Sequence, residues 1–515
     1  MVSAKNNNSC NYNTNSPSSG NSGIGYLALR VNTNGTLNTA IGANALKTNT
    51  TGSENTCLGQ DALFSNTGGS FNTGVGSNPL RSNTTGTANT ALGWSPLSGN
   101  TTGTGNTAAG YFALQFNTTG TGNTGIAFET NQFNTTGSFN TALGLGTLLE
   151  TTVGSNNTGV GFQTILFNST GVDNTALGFL PLNHNTSGSR NTAIGVDALI
   201  ANTTGINNTS IGFNTLRSGV SASNNTAIGF NAARSLLTSS STAVGSGALA
   251  ANVVTVTGTN NTAIGYQSLT VNSTGFNNTA IGVSSLPANT SGAGNVAIGW
   301  DALLLHTLGK AQTAVGEEAL KSILSAGYNT AVGYRAGMSY TASEQDNLLV
   351  RNVGVAGENN VIRIGSQGPD PTDPGVQTSC FIAGIFGVTI SSGTALFIKS
   401  DGQLGTTVSS RRYKTNISDI EDESSGIYQL RPVSFSYKTS SAEEKQYGLI
   451  AEEVAEVYPE LVIYNDEEEP ESVQYHLLPT LLLNEVKKIP KQIDEVSDLF
   501  RRSEEKMNKL ERLRN

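Results

Sequence analysis

The chain is poor in the residues that build most catalytic and metal sites. Its 515 residues include three cysteines and three histidines. Cys10, Cys57 and Cys380 lie too far apart to form a metal-binding or redox motif. No histidine occurs with an acid and a nucleophile in a triad-like grouping. The sequence therefore predicts no metal site and no cofactor.

Charge is also scarce over the first two thirds of the chain. Residues 1–344 carry 20 charged side chains, ten of each sign, and residues 345–515 carry the other 45 and the whole net charge of −9. A neutral region followed by an acidic one offers no basic surface for nucleic acid. No apolar run approaches the ~18–20 residues of a membrane span, and residues 1–20 lack the basic-then-apolar order of a signal peptide. We expect neither nucleic-acid binding nor membrane insertion.

What the chain does have is a short repeat. The motif Asn-Thr-Ala-Ile-Gly and its variants recur every 17 residues for thirteen consecutive copies, and six further copies bring the repeat region to residues 21–345. The copies begin at Asn21, Asn38, Asn55, Asn72, Asn89, Asn106, Asn123, Asn140, Asn157, Asn174, Asn191, Asn208, Asn225, Ser241, Asn261, Asn278, Asn295, Gln312 and Asn329. A fixed period of this size indicates one supersecondary unit per repeat, which needs its neighbours to bury its apolar side chains.

A single repeat, residues 38–54, contains two short apolar pieces separated by Gly and Asn. Gly and Asn favour turns with positive φ, and each apolar piece is too short for a helix. The pattern predicts a mainly β fold in which each repeat is one coil of a β-solenoid. We expect Ile41 and Leu46 to point into a thin interior, with Asn38 and its equivalents stacked in a ladder. At ~4.8 Å per strand, nineteen coils predict a rod of roughly 90 Å.

Two further properties of the repeat follow from this interpretation. Because the interior is thin, we expect lateral association through the face that carries Ala40 and Gly42 to add stability. The polar corner at Asn49-Thr50-Thr51 is also a formal N-glycosylation sequence. For these asparagines, a hydrogen-bonded corner and glycan attachment are both open.

In its motif and its Gly/Asn corners the repeat resembles the head β-roll of trimeric autotransporter adhesins, which carry Asn-Ser-Val-Ala-Ile-Gly repeats. The resemblance covers residues 21–345. The 17-residue period is longer than the period usual in that family, and we do not expect that family's C-terminal membrane barrel here, so the resemblance is limited to the repeat module. It implies a rod that is exposed on the surface of a cell or of a virus particle.

The C-terminal region contains four separate sequence motifs. They are Ser409–Ile417, Leu430–Phe435, Tyr447–Val454 and Pro459–Val462, followed by Tyr475 and the run Leu477–Glu485. Together they resemble the intramolecular chaperone of phage tailspikes and endosialidases, a self-cleaving peptidase domain, over residues 405–515. The resemblance implies a domain that trimerises the fibre, assists the folding of its β-structure and then cuts itself off.

In that family the nucleophile is the serine five residues before the lysine of a Ser-Asp-x-Arg-x-Lys block. The resemblance therefore places the nucleophile at Ser409, the base at Lys414 and the cleaved bond between Val408 and Ser409. A lysine whose pKa is lowered by burial can serve as such a base. Ser410 stands where the family usually has aspartate, which leaves the efficiency of cleavage open and makes Ser410 a rival nucleophile. No enzymatic activity other than self-cleavage is expected.

The end of the chain carries a heptad pattern. Its apolar positions are Ile493, Val496, Phe500, Met507 and Leu510, with Ser503 filling one place in the series. This pattern predicts a C-terminal coiled-coil helix. We expect five regions: a disordered polar segment 1–20, a β-solenoid 21–345, a β-rich neck 346–404, a small α+β chaperone domain 405–489 and the coiled-coil tail 490–515.

These features together predict a homotrimeric attachment fibre on a virion, as a tail or surface fibre, with a host-surface receptor or glycan as its partner. Two alternatives remain open. One is a bacterial cell-surface adhesin built from the same two modules. The other is a purely structural fibre whose chaperone stays uncleaved.

Overall fold

The computed structural model describes residues 20–251, 257–365, 394–399, 403–438, 444–465 and 467–514. The chain divides into two compact units, Met1–Ala383 and Gly384–Asn515. The N-terminal residues 1–19, residues 366–393 of the predicted β-rich neck, Cys10 and Cys380 lie outside the described residues.

The described residues of the first unit form one parallel β-sheet of 21 short strands wound as a solenoid. Each strand pairs with the next along the chain in constant register, so that Thr39 lies opposite Thr56 and Ile41 opposite Leu58. In chain order the strands are β1 Ser22–Ile24, β2 Thr39–Ile41, β3 Thr56–Leu58, β4 Thr73–Ser77, β5 Thr90–Trp94, β6 Thr107–Ala109, β7 Thr124–Ile126, β8 Thr141–Leu143, β9 Thr158–Phe162, β10 Thr175–Phe179, β11 Thr192–Ile194, β12 Thr209–Ile211, β13 Thr226–Ile228, β14 Thr242–Val244, β15 Thr262–Ile264, β16 Thr279–Ile281, β17 Val296–Ile298, β18 Thr313–Val315, β19 Thr330–Val332, β20 Leu348–Val350 and β21 Ile362–Ile364. The predicted solenoid with one coil per 17 residues is confirmed.

The interior of the coil differs from the expectation at one position. Leu46 is fully buried as expected, but Ile41 is 37% exposed and Ala40 is the buried residue of the strand. Side chains of a strand alternate between its two faces. Because Asn38 points inward, Ala40 must also point inward, and Thr39 and Ile41 point out. The expected lateral association through Ala40 is therefore wrong, because this alanine lies inside the coil.

Two asparagine ladders run through the solenoid. In the first, the Asn55 side chain donates to Asn38 Oδ1 at 3.0 Å and to the Gly69 carbonyl at 2.9 Å, and the Asn55 backbone N–H donates to the same Asn38 oxygen at 3.0 Å. In the second, Asn66 Nδ2 donates to Asn49 Oδ1 at 2.8 Å. Asn49 is fully buried. In the folded chain its side chain is therefore part of the ladder and is not accessible for glycan attachment.

Each coil turns through backbone conformations with positive φ. In the second coil these occur at Gly42 (136°), Asn44 (57°), Leu46 (50°) and Glu54 (58°). A β-carbon at Gly42 would lie 2.3 Å from the carbonyl oxygen of Gly59 in the next coil. Glycine is needed at this corner because the coils stack backbone against backbone.

The last coils are closed by a buried polar cluster. The Tyr340 side chain is fully buried and its hydroxyl donates to Glu358 Oε1 at 2.7 Å. Arg363 pairs with Glu358 at 2.7 Å, and Glu344 accepts the backbone N–H of Gly357 at 2.9 Å. Burial alone would raise the pKa of Glu358, but its contacts with Arg363 and Tyr340 hold that pKa below its ordinary value. These contacts tie β21 to the body of the solenoid.

The second unit is a small α+β domain. Its strands form three antiparallel pairs: β22 Phe397–Ile398 with β23 Leu404–Gly405, β24 Val433–Phe435 with β25 Gln446–Gly448, and β26 Val462–Tyr464 with β27 Pro470–Val473. Its helices are α1 Ala451–Val457 and α2 Leu478–Arg514, with 3-10 turns at Arg411–Tyr413, Glu423–Gln429 and Pro459–Leu461. Its small core consists of Val454, Tyr458, Leu461, Val462 and Val473.

Candidate functional site

The segment expected to cleave itself lies at the surface of the second unit. Ser409 precedes the short 3-10 turn Arg411–Tyr413, and Lys414 follows it. The side chains of Ser409, Ser410 and Lys414 are exposed. Within the described part of the chain, the Ser409 and Lys414 side chains have no hydrogen bond with each other. The two residues therefore lie on the same short surface segment, but in the described single chain they do not form a hydrogen-bonded Ser–Lys dyad.

A buried polar network joins the start of α2 to the 3-10 turn Glu423–Gln429. Ser424 is fully buried and donates to the carboxylate of Glu485. Asn484 Nδ2 donates to Ser424 Oγ at 2.8 Å, and Lys488 Nζ donates to Glu485 at 2.8 Å and to Asp422 at 3.1 Å. Lys488 and Ser424 hold the pKa of Glu485 below its ordinary value. The network fixes the direction in which α2 leaves the domain.

A second set of contacts supports the strands beside this network. Arg431 forms an ion pair with Glu453 on α1, and this pairing lowers the pKa of Glu453. The backbone N–H of Leu449 donates to the Tyr475 hydroxyl at 2.8 Å. These contacts hold the loops before β24 and α1, and the segment before α2, in one arrangement.

An apolar groove and an apolar helix face lie next to each other on this unit. The groove is lined by Leu430, Pro432, Leu449, Tyr475, Leu478 and Leu482. Leu482 is also the first residue of an exposed series along α2, spaced alternately by four and three residues. That series is Leu482, Val486, Ile489, Ile493, Val496, Phe500, Ser503, Met507 and Leu510. The exposed series therefore extends about three turns further toward the N-terminus than the five apolar positions on which the sequence prediction rested.

Sequence reasoning missed the buried network and the groove. Ser424 and Glu485 are 61 residues apart, and Arg431 and Glu453 are 22 apart, so no local spacing links them. A weak signal for the extended helix face was present, because Val486 and Ile489 continue the heptad spacing of Ile493.

Neither a metal centre nor a membrane span emerges from the described ranges. In these ranges, no three His, Cys, Asp or Glu side chains are grouped so that they could hold a metal ion. No helix found there combines the length and the apolar composition needed to cross a lipid bilayer.

Comparison with known proteins identifies a family for part of the second unit. Residues 409–463 match the model of a peptidase family described as "Chaperone of endosialidase". No curated protein matches the chain, and no solved structure matches it. The expected chaperone behind a repeat region is thereby confirmed, and the arrangement is that of a tail-fibre-like chain with a C-terminal chaperone domain.

Proposed function

We propose that this tail-fibre-like chain forms a homotrimeric attachment fibre on a virion and that its C-terminal unit drives trimerisation and then releases itself. The observation that carries the proposal is the family match, which starts at Ser409. This is the residue to which the motif resemblance assigns the nucleophile. The β-solenoid would then be the part that remains and meets a host-surface receptor or glycan.

The α2 helix supports three chains as the assembly. With Val486 and Ile493 at a positions and Ile489 and Val496 at d positions, both kinds of core position carry β-branched residues. Isoleucine at both a and d positions shifts parallel coiled coils from dimers toward trimers and tetramers. All four side chains are exposed in a single chain, and their burial between chains would stabilise the assembly.

The proposed cleavage step uses the residues to which the motif resemblance assigns the roles of nucleophile and base. The Ser409 hydroxyl attacks the carbonyl carbon of Val408 while the Lys414 amine accepts the hydroxyl proton. The bond between the Val408 carbon and the Ser409 nitrogen breaks, and the new amine of Ser409 receives a proton. The resulting ester is hydrolysed by water, which leaves a C-terminal fragment that begins at Ser409.

The exposure of Lys414 supports an order in which assembly comes before cleavage. A lysine serves as a base near neutral pH when burial disfavours its ammonium form. Because Lys414 is exposed in a single chain, we place assembly before cleavage, with the neighbouring chains burying the segment 408–414. Cleavage would then release the chaperone from an already folded fibre.

The test compares three variants of the full chain, Ser409→Ala, Lys414→Ala and Ser410→Ala. The first two are expected to stay full length and trimeric, whereas the third is expected to release a fragment whose N-terminal residue is Ser409. N-terminal sequencing of the fragment and analytical ultracentrifugation of the fibre give the readouts.

A fragment that begins at position 410 in the wild-type chain would move the nucleophile to Ser410. No fragment after prolonged incubation of a folded wild-type trimer would show that the serine in place of the usual aspartate has left a chaperone without a protease. A fragment from Ser409→Ala at the wild-type rate would overturn the assigned dyad.

A further inference from the structure

The outside of the solenoid carries an apolar stripe made of two columns, one at the outward-facing end of each strand and, in most coils, one just past the glycine that follows the strand. One column of the stripe consists of Ile41 and its equivalents, which are aliphatic in almost every coil. A second column lies two residues further on, and from the fifth to the thirteenth coil every one of its members is large and apolar. These nine residues are Trp94, Tyr111, Phe128, Leu145, Phe162, Phe179, Val196, Phe213 and Phe230, and each is between 37 and 54% exposed.

The rings of the second column are ordered along the solenoid. Phe162 and Phe179 stack with ring centroids 5.0 Å apart, and Tyr111 and Phe128 stack at 5.1 Å. Charged residues are missing from both columns, and from the threonine column beside them, between Ser22 and Trp300. The stripe is therefore a regular, uncharged surface and not a scatter of single exposed side chains.

The area of the stripe exceeds what a soluble monomer usually exposes. At roughly 80 Å² of exposed surface per large side chain, the two columns present on the order of 1,000 Å² over these nine coils. The largest apolar patch of a typical monomer is about 300–600 Å², and a stable protein interface buries about 800 Å² per partner. The stripe is large enough to be a complete interface.

The periodicity of the stripe identifies its partner. A surface that contacts nine successive coils must repeat at the same strand spacing of ~4.8 Å. A second copy of this solenoid has the same strand spacing. In a parallel, in-register assembly, its coils therefore match those of the first copy along the whole stripe. A symmetric homo-oligomer brings the same residues of each copy together.

We infer that the apolar stripe is the surface through which the solenoids of three copies pack against one another around a common axis. The inference rests on the proposed trimer and adds where on the solenoid the copies meet. Ile194 and its equivalents lie at this contact. The polar corner of the same coil carries Thr204, which is exposed and belongs to neither column of the stripe.

The experiment places single cysteines in the full chain after Cys10→Ser, Cys57→Ala and Cys380→Ser. Cys57 occupies the buried column of Ala40, so alanine fits there. Ile194→Cys probes the stripe, and Thr204→Cys in the same coil is the matched control because its side chain is exposed. Both variants are oxidised mildly and analysed on a non-reducing denaturing gel, beside sedimentation of the untreated protein.

The expected result is a two-chain band with Ile194→Cys and none with Thr204→Cys. Around a threefold axis a disulfide can join two of every three chains, so the reaction should stop with one chain in three unpaired. Complete conversion to the two-chain band would indicate pairwise packing and overturn the inference.

The other outcomes separate the inference from the proposed function. A sedimenting trimer without cross-linking at position 194 would overturn the inference and leave the trimer intact. Single chains in sedimentation would overturn both. If the Ile194→Cys thiol stays open to a bulky maleimide until phosphatidylcholine vesicles are added, the stripe is a lipid-binding surface and the inference is wrong.

Discussion

Removal of one rung of the first asparagine ladder should open the solenoid locally. In the ladder, Asn89 Nδ2 donates to Asn72 Oδ1 at 3.1 Å and to the Gly103 carbonyl at 2.9 Å. Asn89 Oδ1 accepts the Asn106 backbone N–H at 2.9 Å and the Asn106 side chain at 3.1 Å. Asn89→Ala removes all four hydrogen bonds and leaves the buried Asn106 N–H without an acceptor.

The size of the effect follows from these four bonds. At about 1 kcal/mol for each buried hydrogen bond, the local free energy of opening should fall by about 4 kcal/mol. A factor of ten corresponds to about 1.4 kcal/mol, so amide exchange in this coil should be faster by about 10³-fold. Hydrogen–deuterium exchange of peptides that span residues 84–110 measures this directly. A local method is appropriate because repeat arrays open coil by coil.

A matched substitution separates the loss of ladder hydrogen bonds from a general disturbance of the coil. The natural chain has Ser241 in the ladder, and the Asn261 backbone N–H donates to its hydroxyl at 3.3 Å. Asn89→Ser should therefore keep an acceptor for the Asn106 N–H and cost about half as much as Asn89→Ala. Thr102→Ala, at an exposed corner, should change nothing. Equal exchange in Asn89→Ala and in the wild-type chain would refute the ladder as a source of stability.

Three further outcomes follow from the same structure. His306 takes the place of an asparagine in the second ladder, and its ring nitrogens lack a well-formed hydrogen bond. Burial lowers the pKa of His306, so the unfolded chain binds a proton here more readily than the folded chain. The free energy of unfolding should therefore fall as the pH drops below about 6.5. His306→Asn should abolish that loss and add about 1 kcal/mol by restoring a donor to Asn289 Oδ1, as thermal melts at pH 5 and pH 8 would show. Gly42→Ala should disrupt its coil because its β-carbon would meet the Gly59 carbonyl, visible as faster exchange there and not in distant coils. Leu97→Ala should cost about 2–5 kcal/mol by emptying a fully buried site, measured as a lower denaturant midpoint.

The repeat period carried most of the information on the fold. Because the motif recurs at 17 residues, stacking in register and the ladder that contains Asn38 could be predicted without knowing any distance. The direction of Ile41 could not be obtained from its size. An aliphatic residue is usually placed inside, but here the hydrogen bonds of Asn38 determine which alternate residues point inward. If the need of the Asn38 side chain for hydrogen-bond partners inside the coil is considered first, Ala40 is placed inside and Ile41 outside.

The assignment of Ser409 and Lys414 as nucleophile and base stays a prediction. Both residues belong to one short block of the sequence, and the family match begins at that block. The contact of Ser424 with Glu485 joins segments that are far apart in the chain. No short-range spacing in the sequence indicates this contact. The exposed stripe was missed for a different reason, since it depends on the inward or outward direction of every strand residue.

The native mass of the full-length protein after expression and incubation tests the proposed assembly and self-cleavage together. Three copies of a chain that ends at Val408 are expected, together with a separate fragment that begins at Ser409. A single uncleaved chain of 515 residues, at a concentration where fibres of this kind assemble, would contradict both.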